Sequence, residues 1–209
     1  MTLKKWFFLF WSCMAVGGAV AVSAGLIMQW TDPSFGFLGI GASGFNAGMM
    51  LLSGLLIGVF SQMGFFAYLT LNYIALSIFR KAYLWNSLQA YTTVFMIFLF
   101  GYLLYERRAD LGSVLFWLLP LLLAAGAWAI GVVKVKLTNR SALIPTLFLM
   151  IAGTVIEAWP SLNAENGSAS SVIFMMLPLF ACNAYQILML HRLVKPEETG
   201  SAHRANPAS

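Results

Sequence analysis

Charge is what this sequence has least of. Lys, Arg, Asp and Glu make up 9% of its 209 residues, against roughly 25% in a soluble domain. So few charges cannot cover a water-facing surface. A soluble globular protein is excluded, and an integral membrane protein is left. Histidine is scarcer still: there are 2, His191 and His203. Neither belongs to an H-E-x-x-H zinc motif, and no G-x-S-x-G nucleophile elbow is present. The cysteines, Cys13 and Cys182, lie inside apolar runs with no C-x-x-C partner. They read as small core residues. Gly36, Gly39, Gly41 and Gly44 are not followed by Walker spacing, so no phosphate loop is expected. With no catalytic set, no cofactor motif and no metal site, the chain is expected not to be an enzyme and to carry no cofactor.

What is present is apolar: 60% of the chain. The runs are continuous rather than alternating, which argues for helices over a β-barrel. A helical crossing needs about 20 apolar residues. The expected fold is all-α, a polytopic membrane protein with six transmembrane helices at about 6–30, 46–79, 83–105, 111–133, 141–159 and 171–190. These form one domain over 1–194; the polar tail 195–209 is expected to be disordered and cytoplasmic. The first run follows Lys4-Lys5 and contains a cleavage-like Val22-Ser23-Ala24, but it is too long for a signal peptide and is expected to be retained. Gly17, Ala21 and Gly25 give it one small face, which allows close helix contact in lipid. Residues 35–44 read as either a loop or a re-entrant segment. Ten of the 12 basic residues fall on one side of the six crossings; Arg107 and Arg108 fall opposite. The positive-inside rule places both termini in the cytoplasm of a bacterial plasma membrane. Basic residues gathered in short loops set topology, so the net charge of +5 does not point to nucleic acid.

No charge lies in the middle of any predicted crossing, which weighs against an ion-coupled transporter. Glu157, two residues before Trp159, reads as an interfacial acid or a site residue. The uncharged polar groups concentrate between 61 and 89. At 100° per residue, Gln62, Thr70, Tyr73 and Ser77 share one stripe, with Ser61, Tyr68 and Asn72 beside it. Phe60, Met63, Ala67, Leu71 and Ile74 form the opposite, lipid-facing side. The third helix repeats Asn86, Gln89 and Thr93 at helical spacing. A hairpin about Arg80-Lys81 sets Asn72 near Gln89 and Tyr68 near Thr93. These groups serve either as packing glue or as a surface for a partner or ligand. The candidate contact residues are Gln62, Tyr68, Asn72, Tyr73, Asn86 and Gln89.

Residues 61–70 (SQMGFFAYLT), with Leu84-Trp85-Asn86, resemble the KinB-signalling pathway activation protein (KbaA) family. The length, the lysine-led first helix and the six-crossing layout agree, so the resemblance extends from Met1 to about Leu193. It implies a membrane accessory protein that activates a sporulation sensor histidine kinase, upstream of a phosphorelay. It carries over no catalytic residue. The implied partners are that kinase and the lipid bilayer; the oligomeric state stays open. The alternative is a small membrane transporter or channel, and a membrane-embedded enzyme acting on lipid or peptide stands third.

Overall fold

The computed structural model describes residues 3–31, 35, 43–79, 81–111, 114–163 and 169–194. Among them there is no strand. The helices are α1 (Leu3–Thr31), α2 (Ser43–Ile78), α3 (Ala82–Glu106), α4 (Arg108–Leu111), α5 (Leu115–Leu137), α6 (Leu143–Phe148), α7 (Thr154–Glu157), α8 (Trp159–Leu162) and α9 (Ala169–Val194). Six segments are long and apolar enough to cross a membrane: Lys4–Trp30, Gly44–Ile78, Ala82–Glu106, Phe116–Leu137, Arg140–Glu157 and Ala169–Arg192. The chain is therefore a six-crossing membrane protein. Arg80, residues 36–42 and the tail 195–209 lie outside the described residues, and with them the loop-or-re-entrant question and the expected disorder of the tail.

α1 packs mainly on α2 and α9, while α3, α5 and the fifth crossing form a second group. The small face of α1 is what brings α2 close. A Cβ on Gly54 would lie 2.5 Å from both the Ala21 Cβ and the Gly17 carbonyl oxygen. Gly58 sits against the backbone of Cys13 and Met14, and Gly25 is covered by Met50. Lipid supplies no hydrophobic drive between helices, so such close backbone approach is the main source of association. The opposite side of α2 is apolar and exposed: Phe60, Met63, Ala67, Leu71 and Ile74 all face outward, as the sequence pattern predicts. α9 contains the largest share of buried positions and touches both groups, so the core lies around it.

Three boundaries differ from the sequence pattern. The fourth crossing runs to Leu137 rather than 133, because Lys134 does not end it. Its Nζ donates to the Ile187 carbonyl of α9, so the charge is satisfied inside the bundle end. The stretch expected to be a charged turn at 106–110 instead includes the short helix α4. The fifth crossing is not one α-helix: a 3₁₀ turn at Arg140–Ala142 leads into α6, a π turn spans Leu149–Gly153, and α7 ends at Glu157. A π turn accommodates one extra residue and so rotates the helix on its C-terminal side relative to the helix on its N-terminal side. Here it delivers Thr154 and Glu157, three apart and on one face, to α9.

Candidate functional site

A connected set of polar side chains lies where α1, α2, α7 and α9 meet. The α9 residue Asn183 is its centre, fully buried. Its Nδ2 donates to Glu157 Oε2 at 3.0 Å and to Thr154 Oγ1 at 3.1 Å. Its Oδ1 accepts from Ser61 Oγ at 3.0 Å. One helical turn on, Gln186 Nε2 donates to Ser61 Oγ at 2.8 Å and to Cys13 Sγ at 2.9 Å. Cys182 Sγ contacts the Cys13 carbonyl at 3.5 Å, and Cys13 Sγ the Gly58 carbonyl at 3.8 Å. The amide orientations follow from the chemistry. A carboxylate accepts, so Asn183 must present its N–H to Glu157; its carbonyl then needs a donor, which the Ser61 hydroxyl supplies.

Glu157, the last residue of the fifth crossing, is turned inward toward Asn183. The cause is the π turn together with Gly64, where a Cβ would strike the Glu157 carboxylate. Oε1 of that carboxylate is buried and accepts no hydrogen bond, and neither does Gln186 Oε1. The sequence pattern did not single out Thr154, Asn183 or Gln186. Asn183 and Gln186 share an i, i+3 face inside an otherwise apolar crossing, and that spacing is the local signal that marks them.

The six sequence-predicted contact residues fall elsewhere, on α2 and α3. Gln62 and Gln89 are fully buried, and neither amide has a hydrogen-bond partner. Tyr68 is buried, its hydroxyl 3.4 Å from the Pro145 carbonyl and beside Gln89. Asn72 is half-buried and accepts from Trp85 Nε1 at 2.8 Å. Asn86 is half-buried, and Tyr73 is 78% exposed. The expected pair of Asn72 with Gln89 is therefore displaced by one turn toward the loop, to Asn72 with Trp85, and Tyr68 lies beside Gln89, without a hydrogen bond to it, rather than pairing with Thr93. Thr93 Oγ1 instead donates to the Gln89 carbonyl at 2.7 Å. The displacement has an aromatic cause. Trp85 stacks on Phe79 at 6.1 Å and also meets Phe148, and Phe148 meets Tyr68 at 5.8 Å. A double-mutant cycle with Asn72→Ala and Trp85→Phe is expected to show coupling of about 0.6 kcal/mol, the average for a side-chain bond between membrane helices. Thermal unfolding in detergent reads it, and additive losses would remove the pairing.

Among the described residues no three His, Cys, Asp or Glu side chains are grouped to hold a metal ion. The family model described as KinB-signalling pathway activation in sporulation matches residues 17–193. A KinB-signaling pathway activation protein from Bacillus subtilis (strain 168) is 32% identical over 191 residues, covering 87% of this chain and 92% of that protein. No solved structure matches.

Proposed function

The chain belongs to the family of KinB-signalling pathway activation in sporulation, and from that premise we propose that it activates a KinB-type sensor kinase pathway in the bacterial plasma membrane by direct contact between transmembrane helices. The contact surface is the loop end of the α2–α3 hairpin. The observation that carries this is an uncovered polar stripe. Thr70, Tyr73 and Ser77 are spaced three and four apart on α2, and all three are exposed. Asn72 and Asn86 flank the stripe, half-buried. Gln62, Tyr68 and Gln89, the other expected contact residues, are buried on the bundle side of the hairpin. A kinase helix docked on the stripe supplies partners for Thr70 and Tyr73, while the Ser77 hydroxyl already donates to the Ile74 carbonyl at 2.7 Å. Contacts of a few kcal/mol suffice to bias a two-state kinase. The reading includes no catalytic step by this chain.

The test is co-purification with the kinase from membranes, alongside sporulation. Tyr73→Ala combined with Asn86→Leu is expected to lower recovered kinase about tenfold, equivalent to about 1.4 kcal/mol. Tyr91→Ala, which removes an equally exposed aromatic elsewhere on α3, is expected to leave it unchanged. A constitutively active response regulator should restore sporulation in the double variant. Unchanged complex and normal sporulation in the double variant would refute the contact surface.

A further inference from the structure

The polar chain at the α1–α2–α7–α9 junction has a direction. Gln186 donates to Ser61, Ser61 to Asn183, and Asn183 to Glu157. These three bonds run toward the carboxylate, with side branches from Gln186 to Cys13 Sγ and from Asn183 to Thr154 Oγ1. Aligned hydrogen bonds polarise one another, so the chain favours negative charge on Glu157 Oε2. Yet no basic group among the described residues balances that charge: Oε2 accepts from Asn183, and Oε1 accepts from nothing. The groups facing Glu157 from the packed elements are the thiols of Cys13 on α1 and Cys182 on α9. α2 presents Ser61 and Gly64, and α7 adds Thr154. None of these brings positive charge.

An uncompensated carboxylate inside a helix bundle is costly. The chain around it spends its donors on the Oε2 side and leaves a bare oxygen on the Gly64 side, where a glycine keeps the α2 backbone close. The oxygens linked to Glu157 through Asn183 are hard: Thr154 Oγ1 and Ser61 Oγ, beside the carboxylate itself, with the unpartnered, buried Gln186 Oε1 one turn further along α9. Hard oxygens suit protons and alkali or alkaline-earth ions rather than soft metals. A single carboxylate among neutral oxygens balances one positive charge. We propose that Glu157, at the end of this polar chain, binds a small monovalent cation, a proton or a sodium ion, and that this binding sets the stability of the α7–α9 contact.

The experiment uses the purified full-length protein in lipid nanodiscs, without kinase, so its outcome is independent of the proposed contact surface. Thermal unfolding is followed by tryptophan fluorescence in sodium and in choline chloride at equal ionic strength, from neutral to mildly acidic pH. A cation bound by the folded state alone raises the transition temperature, here by about 4 °C or more. A rise with sodium at fixed pH assigns the metal ion. A rise only as pH falls, with no difference between the salts, assigns the proton, because a proton bound more tightly by the folded state stabilises it toward acid. Glu157→Gln keeps the shape and an acceptor for Asn183 but removes the charge, and is expected to flatten either response. A flat wild-type profile in both series, or a response that survives in Glu157→Gln, overturns the proposal. Should Glu157→Gln not fold, Thr154→Val keeps the charge and removes one oxygen. It is expected to shift the sodium or proton midpoint by about threefold, the worth of one such side-chain contact, and an unmoved midpoint overturns the proposal equally.

Discussion

Leucine in place of Gly54 is expected to leave no folded bundle. At this position the side-chain branch point itself has no room: a Cβ meets the Ala21 Cβ and the Gly17 carbonyl at 2.5 Å and the Gly18 Cα at 2.8 Å. Two of those three atoms belong to backbone, which cannot turn aside as a flexible side chain does. Restoring ordinary carbon contacts of about 3.5–4.0 Å requires α1 and α2 to separate by more than an ångström along their shared seam. Overpacking costs typically about 1–3 kcal/mol where neighbours can adjust. Here they cannot, and the loss should exceed the top of that range. The comparison is Gly48→Leu on the same helix, where nothing lies within 4 Å of the added Cβ. Size-exclusion profile and thermal unfolding in detergent are expected to be normal for Gly48→Leu and lost for Gly54→Leu. Normal melting of both variants would disprove the seam.

Asn183→Leu is expected to cost about 3 kcal/mol. The substitution removes three hydrogen bonds at once, each worth roughly 0.6 kcal/mol between membrane helices. It also leaves Glu157 Oε2 with no donor, and an unsatisfied buried acceptor adds about 1–3 kcal/mol. The second part can be isolated. Adding Glu157→Gln to Asn183→Leu removes the stranded charge and should recover part of the loss, so the double variant should melt above the single one. Adding Ser61→Ala should cost only the bond that Ser61 still accepts from Gln186, about 0.6 kcal/mol, since Ser61 has by then lost its acceptor. Independent, additive effects at these positions would show that the chain of bonds is not a unit.

Much of the architecture was legible in the sequence, because membrane spans are written in composition. The six crossings follow from runs of about 20 uncharged residues. The α1 seam follows from Gly17, Ala21 and Gly25, and the lipid face of α2 from the spacing of Phe60, Met63, Ala67, Leu71 and Ile74. What the sequence concealed depends on contacts far apart in the chain. The π turn at Leu149–Gly153 has the composition of ordinary helix. Only the fit of Thr154 and Glu157 against α9 distinguishes it. Ser61 and Asn183 are 122 residues apart, and Gln186 and Cys13 are 173 apart. No local pattern pairs them. The α2–α3 register failed for a nearer reason. Counting residues about the turn assumes equal helix ends, whereas the Phe79–Trp85 stack and the Trp85–Asn72 bond shift the pairing by one turn.

The length of α2 has its own consequence. Its 36 residues make a rod of about 54 Å, against a hydrocarbon core of about 30 Å. Lying wholly within the core would demand a tilt beyond the roughly 0–40° that such helices adopt. The glycine seam with α1 fixes the rod around Gly54 and Gly58, so the surplus emerges at the other end, where Tyr73, Leu76, Ser77 and Ile78 stand exposed. The helix is thereby a depth gauge. A thicker bilayer draws those residues down among the acyl chains, and a thinner one lifts them into the headgroups and water. Lipid composition, without any ligand, sets how much of this stretch another helix in the membrane can touch.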